Sequence, residues 1–485
     1  MRVAWQAGAL IALEDAGLSF QHFDGASGGT MNLAMLLSGL TPYEMAGRWL
    51  DVPVKDFVSL MPMKDYLQKD WPAMGDGDGL RRSIFPHLGI QPDRIRAMTG
   101  FTATFNVCNA TRKTLEAVSS TEVDEDLLIA AVSLPGVMPG VPWRGATYVD
   151  AVWIKDTNVW EAVRRGAEEV WLLWCIGNAP GYHDGLFRQY VHMIEMSANG
   201  ALFEELDRVR DLNDRIARGD SPYGQRRPVA LHVIQPGQAL PLDPDFYLGC
   251  ISAGSLMALG YAAAQRYLSG RTDAGVPLTP EVTTMTEAKP GVSFKETMTG
   301  PFAMGARSPE EGAATAQCTV KMHAEVFIPD IAAFVADPMH TGVLSGTLDI
   351  PPLGNGLVCP TGVFRLFSPT DQPDTKYMVY ELGFTYNGSP HYLAGHKTVR
   401  NDPGLDMWKD TTTLYVTLHA GRDASGAILG AGTLSLGVAD LIRLLETVRV
   451  TNATDAGQKA ATVATFGKFF LGRLWDTYGH HARGK

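Results

Sequence analysis

Apolar and polar positions change their rhythm once along this chain. From Met1 to about Gly270, stretches with apolar residues at helical spacing alternate with short apolar runs, the order of βαβ units around a mostly parallel sheet. Val3, Ala7, Leu10 and Ile11 fall at helical spacing and Gly17 sits where a C-terminal cap belongs, so residues 3 to 16 are predicted as a helix. A strand is predicted at Ser19 to Phe23 and a largely buried helix at Met31 to Ser38, ended by Gly39. Thr41, Pro42 and Glu44 supply an N-cap, a first-turn proline and a capping box for the next helix. Further strands are predicted at Phe101 to Cys108, Ala146 to Asp150, Val170 to Ile176 and Val229 to Ile234. The last two are the near-continuous apolar runs of a sheet covered on both faces. Residues 51 to 100 mix Met, Trp and Pro with the polar run Gly75 to Gly79, and read as an irregular insertion that caps a site.

Between about Gly270 and Gly291 the chain is rich in Gly, Pro, Thr and charge, the composition of a linker. Beyond it the period becomes 2. Cys318, Val320, Met322, Ala324 and Val326 alternate with polar residues, as do Met378, Tyr380, Leu382, Phe384 and Tyr386. Asn387-Gly388 then marks a hairpin turn into His391 to Val399, and another strand is predicted at Thr412 to Leu418. Ala461 to Tyr478 closes the chain as an amphipathic helix carrying Val463, Phe466, Phe469, Phe470, Leu474 and Trp475. The expected organisation is an α/β domain over 1–270, a linker over 271–290, and a β-rich domain over 291–485, an antiparallel sheet or barrel with a C-terminal helix.

Composition narrows the function classes. With 485 residues, 45% apolar and 19% charged, the chain is long enough for two cores and ordinary for a globular protein. A net charge of -11 argues against a nucleic-acid partner but leaves a membrane surface open. Cys108, Cys175, Cys250, Cys318 and Cys359 are odd in number, widely spaced and form no CxxC pair, the usage of a reducing compartment without a zinc site. No apolar run approaches the ~20 residues of a membrane span, and the N-terminus lacks the order of a signal peptide. The expectation is a cytoplasmic protein, at most peripheral on a membrane, of undetermined oligomeric state, with no cofactor and no metal.

The chemistry concentrates at Gly25-Ala26-Ser27-Gly28-Gly29. This GxSxG lies between a predicted strand and a predicted helix, where a nucleophile elbow needs small residues and leaves its serine hydroxyl exposed at the helix N-terminus. Ser27 is therefore the candidate nucleophile, with the backbone N–H of Gly28 and the positive helix end set to stabilise an oxyanion. A serine needs a base to take its proton. An ordinary α/β-hydrolase places several strands ahead of its elbow, whereas 26 residues precede Ser27. His183, His192 and His232 lie downstream, so a conventional Ser-His-Asp esterase stays as an alternative. His22 is expected to point away from Ser27 by strand alternation. Trp171 and Trp174 read as core filling. Asp402, Asp406 and Asp410 lack metal-ligand spacing.

The stretch Phe23 to Glu44, FDGASGGTMNLAMLLSGLTPYE, resembles the elbow and following helix of the patatin-like phospholipases. Leu134-Pro135-Gly136-Val137-Met138-Pro139, followed by Tyr148-Val149-Asp150, resembles that family's second signature, and the likeness extends to about residue 268 through LHVIQPGQALPLDPDF. The resemblance implies a patatin-like α/β/α sandwich and a lipid acyl hydrolase using a Ser27–Asp150 dyad, Asp150 being the base. Asp150-Ala151-Val152 stands where the family has Asp-Gly-Gly or Asp-Gly-Ala. The family opens with a strand and a glycine-rich oxyanion loop, then an arginine and a helix similar to Arg2 and Gln6-Ala7-Gly8. Met1 falls just after that loop, so the expectation is an oxyanion hole completed by residues upstream; the alternative is a catalytically impaired lipid-binding protein. Residues Ser293 to Gly300 (SFKETMTG), His396 to Asp410 (HKTVRNDPGLDMWKD) and Phe466 to Gly479 resemble the accessory domain of cholesterol-oxidase-like glucose-methanol-choline oxidoreductases, which implies a lipid-presenting or membrane-docking module. No GxGxxG follows a first strand, so no flavin site is expected.

Overall fold

The computed structural model describes residues 2–58, 73–182, 184–241, 251–372, 375–400, 412–437 and 446–478. The chain divides into two compact units, Met1–Leu240 with Ala263–Glu287, and Pro241–Ala262 with Ala288–Lys485. A single boundary near 270 does not describe this division. Ser255, in the shorter piece of the second unit, donates from Oγ to Glu325 Oε1 of the same unit at 3.0 Å.

The first unit is mixed α/β. Helix α1 (Val3–Asp15) buries Trp5, Ile11 and a run of alanines, and β1 (His22–Ala26) leads into α2 (Gly29–Leu37), which is buried along most of its length. The capping box of α3 (Pro42–Leu50) forms as read, with Thr41 accepting from the Glu44 amide and Glu44 accepting from the Thr41 amide. Strand β1 begins three residues later than its apolar pattern suggests. Its ladder to β2 (Thr102–Asn109) starts at the His22–Thr102 pair and runs to Ala26–Asn106, through a glycine that periodicity does not count as strand. Antiparallel β3 (Thr114–Ser119), β4 (Val141–Trp143) and β5 (Ala146–Asp150) complete the first sheet in the order β1-β2-β5-β4, with β3 also on β2.

After α4 (Val159–Arg164) come β6 (Glu169–Leu173), the long α5 (Leu186–Ala217) and β7 (Ala230–Ile234). Strands β6 and β7 pair in parallel as a sheet of their own. Every residue of β7 is buried, but β6 is only half-buried, because its other edge and that of β1 line one cavity of about 940 Å³. Gln6 reaches across part of it, donating from Nε2 to Leu173 O at 2.9 Å.

Residues 271–290 are not a free linker. Val276 N donates to Leu231 O at 2.7 Å, Ala239 N donates to Thr286 O at 2.9 Å, and the buried Thr283 hydroxyl bonds Asn199 and Asn178. The composition is that of a loop, but its polar groups have partners inside the first unit, which is why it packs.

The second unit is an antiparallel barrel. Strands β8 (Gly291–Met304), β9 (Cys318–Ile328), β10 (Thr341–Ile350), β12 (Thr361–Pro369), β13 (Thr375–Tyr386), β14 (Ser389–Arg400), β15 (Thr413–Ala420) and β16 (Ile428–Ser435) pair in succession, and β16 closes back on β8. Short β11 (Gly354–Cys359) adds to β10, and β17 (Arg449–Thr451) adds to β8. The period-2 pattern aims Met298, Met322, Leu382 and Val416 inward, and the turn at Asn387 (φ 49) and Gly388 (φ 73) has the left-handed conformation expected of Asn-Gly. Helix α6 (Ala456–Tyr478) lays Phe466, Phe469 and Phe470 on the barrel core. The side chains of Leu474 and Trp475, and Asp402, Asp406 and Asp410, lie outside the described residues.

The barrel interior contains a buried ionic group. Tyr380 OH donates to Glu296 Oε1 at 2.8 Å, and Lys397 Nζ lies 3.6 Å from Glu296 Oε2 and 3.4 Å from Tyr380 OH. Burial, then the neighbouring Glu296 charge, hold the Tyr380 phenol well above its ordinary range. Among the described residues no helix is long and apolar enough to cross a membrane.

Candidate active site

Strand β1 ends in a sharp turn at Ser27, whose φ of +47° lies in the left-handed region that a residue with a Cβ enters only when its surroundings hold it there. The flanking glycines are required by space. A Cβ on Gly25 would lie 2.8 Å from Leu33 Cδ2, and one on Gly28 only 2.5 Å from Val3 Cγ1. The elbow is thus clamped between α2 and the start of α1. Gly28 and Gly29 begin α2, where amides have no intrahelical acceptor and point outward from the turn.

The strand beneath the elbow is fixed by side chains. Thr104 Oγ1 donates to Asp24 Oδ2 at 2.7 Å, Asn106 Nδ2 donates to Asp24 Oδ1, and Asn158 Nδ2 donates to Asn106 Oδ1 at 3.2 Å. Strand β2 also positions the second site residue, since it pairs with β1 on one side and with β5 on the other, Val107 opposite Asp150.

Ser27 Oγ donates to Asp150 Oδ2 at 2.7 Å. The other carboxylate oxygen of Asp150 accepts from Val152 N at 2.9 Å, and the residue is almost fully buried. Burial pushes the Asp150 carboxyl up to about 8 and the nearby Asp156 carboxyl adds to this; the Val152 amide and the Ser27 hydroxyl pull the other way. Once ionised, a carboxyl of that acidity is a stronger base than an exposed carboxylate, and it is mostly ionised only above about pH 8.

Two neighbours were not singled out from sequence. Asp156 has a buried Oδ1 without a hydrogen-bond partner among the described residues, and burial raises its carboxyl to about 6. Tyr190 on α5 donates to Pro135 O at 2.8 Å and packs its ring edge-on to Trp153 at 5.7 Å, closing over the segment that follows Asp150. That segment is also held by Ser197 Oγ donating to Val152 O at 2.9 Å and by Lys155 on Glu205 at 2.5 Å. The only signals in the sequence were an acid six residues after Asp150 and an aromatic on a helix, both too common to select.

The remaining candidates lie apart from this pair. His22 Nδ1 meets Thr102 Oγ1 at 2.7 Å, and His192 lies 3.9 Å from Glu195. Buried His232 is stacked on Trp171 and hydrogen-bonded to Tyr267 OH at 2.9 Å. His183 is outside the described residues. Trp174 is buried in the core and Trp171 is half-buried, and both line the cavity beside β1. Cys108, Cys175, Cys318 and Cys359 are unbridged, Cys250 is outside the described residues, and no cluster of metal-ligating side chains occurs among the described residues.

Comparison with known proteins covers part of the chain. Residues 1–163 match the family model of the patatin-like phospholipases. Among solved structures the chain is similar to VipD from Legionella pneumophila at 11% identity and a TM-score of 0.26, over 55% of this chain and 65% of that one. No curated protein matches. The likeness of the C-terminal residues to an oxidoreductase accessory domain finds no support in these matches. The patatin-like phospholipase match thus takes in residues 1–163, and both Ser27 and Asp150 fall within the matched stretch.

Proposed function

We propose that this chain hydrolyses fatty-acyl esters of lipids through a Ser27–Asp150 dyad. The observation that carries the proposal is the 2.7 Å hydrogen bond from the Ser27 hydroxyl, on a positive-φ elbow, to a buried carboxylate. Ionised Asp150 takes the hydroxyl proton as Ser27 Oγ bonds to the ester carbonyl carbon, and the oxyanion forms against the Gly28 amide and the N-terminus of α2. Collapse breaks the ester C–O bond, Asp150 returns the proton to the leaving alcohol, and an acyl-serine remains. Water then repeats the sequence: Asp150 takes its proton, hydroxide oxygen bonds to the acyl carbon, and the fatty acid leaves as Ser27 recovers its hydrogen.

The reading places the protein on lipid esters in the cytoplasm, without cofactor or metal. A fluorophosphonate probe tests it: Ser27 should be labelled covalently, and Ser27→Ala should neither label nor release acid from a chromogenic fatty-acyl ester. Ester release undiminished in Ser27→Ala overturns the proposal. A wild-type chain that binds lipid but neither labels nor hydrolyses favours the impaired lipid-binding alternative.

A further inference from the structure

Helix α5 has two apolar sides at its N-terminal end. The inner side packs in the core through Ile194, Ala198 and Leu202. On the outer side Leu186 is 87% exposed, Met193 45% and Met196 54%, and the spacing i, i+7, i+10 puts all three on one face. Tyr182, 66% exposed, precedes the helix, and Phe187, 51% exposed, adds apolar surface at the helix start in line with Ile194 and off the outer face. Large apolar side chains grouped in water are costly, and such patches mark contact surfaces.

The patch is joined to the dyad by short links. Tyr190 lies between Leu186 and Met193 in sequence and turns inward onto Trp153 and Pro135 O, while Ser197, next to Met196, holds Val152 O. Val152 N in turn donates to Asp150. The helix that presents the patch therefore also holds the loop following the proposed base.

We infer that this outer face of α5 is a docking surface for a neutral lipid–water interface. The inference rests on the lipid-ester reading above, since the substrate then resides in the phase that the patch would enter. Charge decides the kind of surface. Asp184 and Arg188 are the flanking exposed charges and offset one another, and the whole chain carries -11, so nothing here selects an anionic membrane. The attraction is apolar area, with Tyr182 as an aromatic of the kind found at the headgroup level.

Sedimentation with phosphatidylcholine vesicles tests this on the full chain. Wild type and Ser27→Ala should both bind, with little change on raising salt. Leu186→Ser/Met193→Ser/Met196→Ser should lower vesicle partitioning by a factor of ten or more, because the apolar area that would enter the interface is removed, and lower hydrolysis of vesicle lipid with it. Its rate on a water-soluble short-chain ester should stay within about twofold, because the three side chains are exposed and none touches the dyad. A Leu186→Trp variant gives a second readout, a blue-shifted emission on adding vesicles. Unchanged partitioning in the triple variant, no wild-type binding, or binding that requires anionic lipid and vanishes with salt each overturns the docking surface. Vesicle binding without any esterase activity would leave this surface standing and remove the dyad instead.

Discussion

Ser27 and Asp150, 123 positions apart in sequence, meet through a 2.7 Å hydrogen bond whose donor sits on strained backbone and whose acceptor ends a buried strand. Strand β2 creates the meeting by pairing with both parent strands. Ser27→Ala should abolish ester hydrolysis. Asp150→Asn, which keeps shape but not basicity, should lower kcat by a factor of about 10²–10⁴ with a smaller change in KM, measured as steady-state rates on a fatty-acyl ester.

The pH dependence follows from the burial of Asp150. Only the ionised carboxylate can take the Ser27 proton, and burial puts that ionisation at about 8. The rate constant kcat/KM should therefore rise with pH and level off above about 8, in contrast to a histidine-based enzyme, which levels off near ~6.5–7. A profile already flat from about pH 6 to 9 would contradict the raised carboxyl.

The same burial opposes stability. The Asp150 carboxyl ionises at 3.8 when unfolded and at about 8 when folded, so between these values the folded chain holds a proton that the unfolded chain has released. Its contribution is complete below about 3.8 and is lost as pH rises towards about 8. Asparagine does not ionise, so the melting temperature of Asp150→Asn relative to wild type should climb between about pH 4 and about pH 8 and level off above that. Parallel melting curves across that range would refute it.

Space at the elbow gives a rescue experiment. Gly28→Ala puts a Cβ 2.5 Å from Val3 Cγ1, which should cost about 1–3 kcal/mol and displace Ser27. Gly28→Ala/Val3→Ala removes the obstructing methyl and should recover much of both activity and melting temperature. Equal damage in single and double variants would mean that Gly28 is needed for another reason.

In the barrel, Lys397→Met leaves the Glu296 carboxylate buried beside Tyr380 alone and should cost about 3–5 kcal/mol. Lys397→Met with Glu296→Leu removes both charges and should be less destabilised than the single variant in denaturant titrations.

Much of this arrangement was legible beforehand because local rules decide it. The capping box at Thr41, the Asn387-Gly388 turn and the alternation at Met378 to Tyr386 depend on near neighbours in the chain, and each formed where it was read. Ser27 is legible because a tight strand-to-helix turn restricts residue choice, whereas Asp150, an ordinary strand-end aspartate by itself, is marked only by the resemblance of its flanking residues to the patatin-like phospholipases. What was hidden depended on distant partners. Residues 271–290 look like a linker until Leu231, Gln238 and Asn199 are brought beside them. Asp156 acquires significance only once burial sets it near Asp150, and no periodicity reveals that β6 pairs with β7 and not with β1.

That separation has a consequence for the protein in solution. Along β1 and β6, rows of peptide amides and carbonyls border one hollow, and Gln6 answers only Leu173 among them. A peptide entering that hollow in extended form would be stitched on two sides at once, where an ordinary sheet margin offers one. At high concentration, strand exchange between copies of the first unit would have such a seat in this hollow.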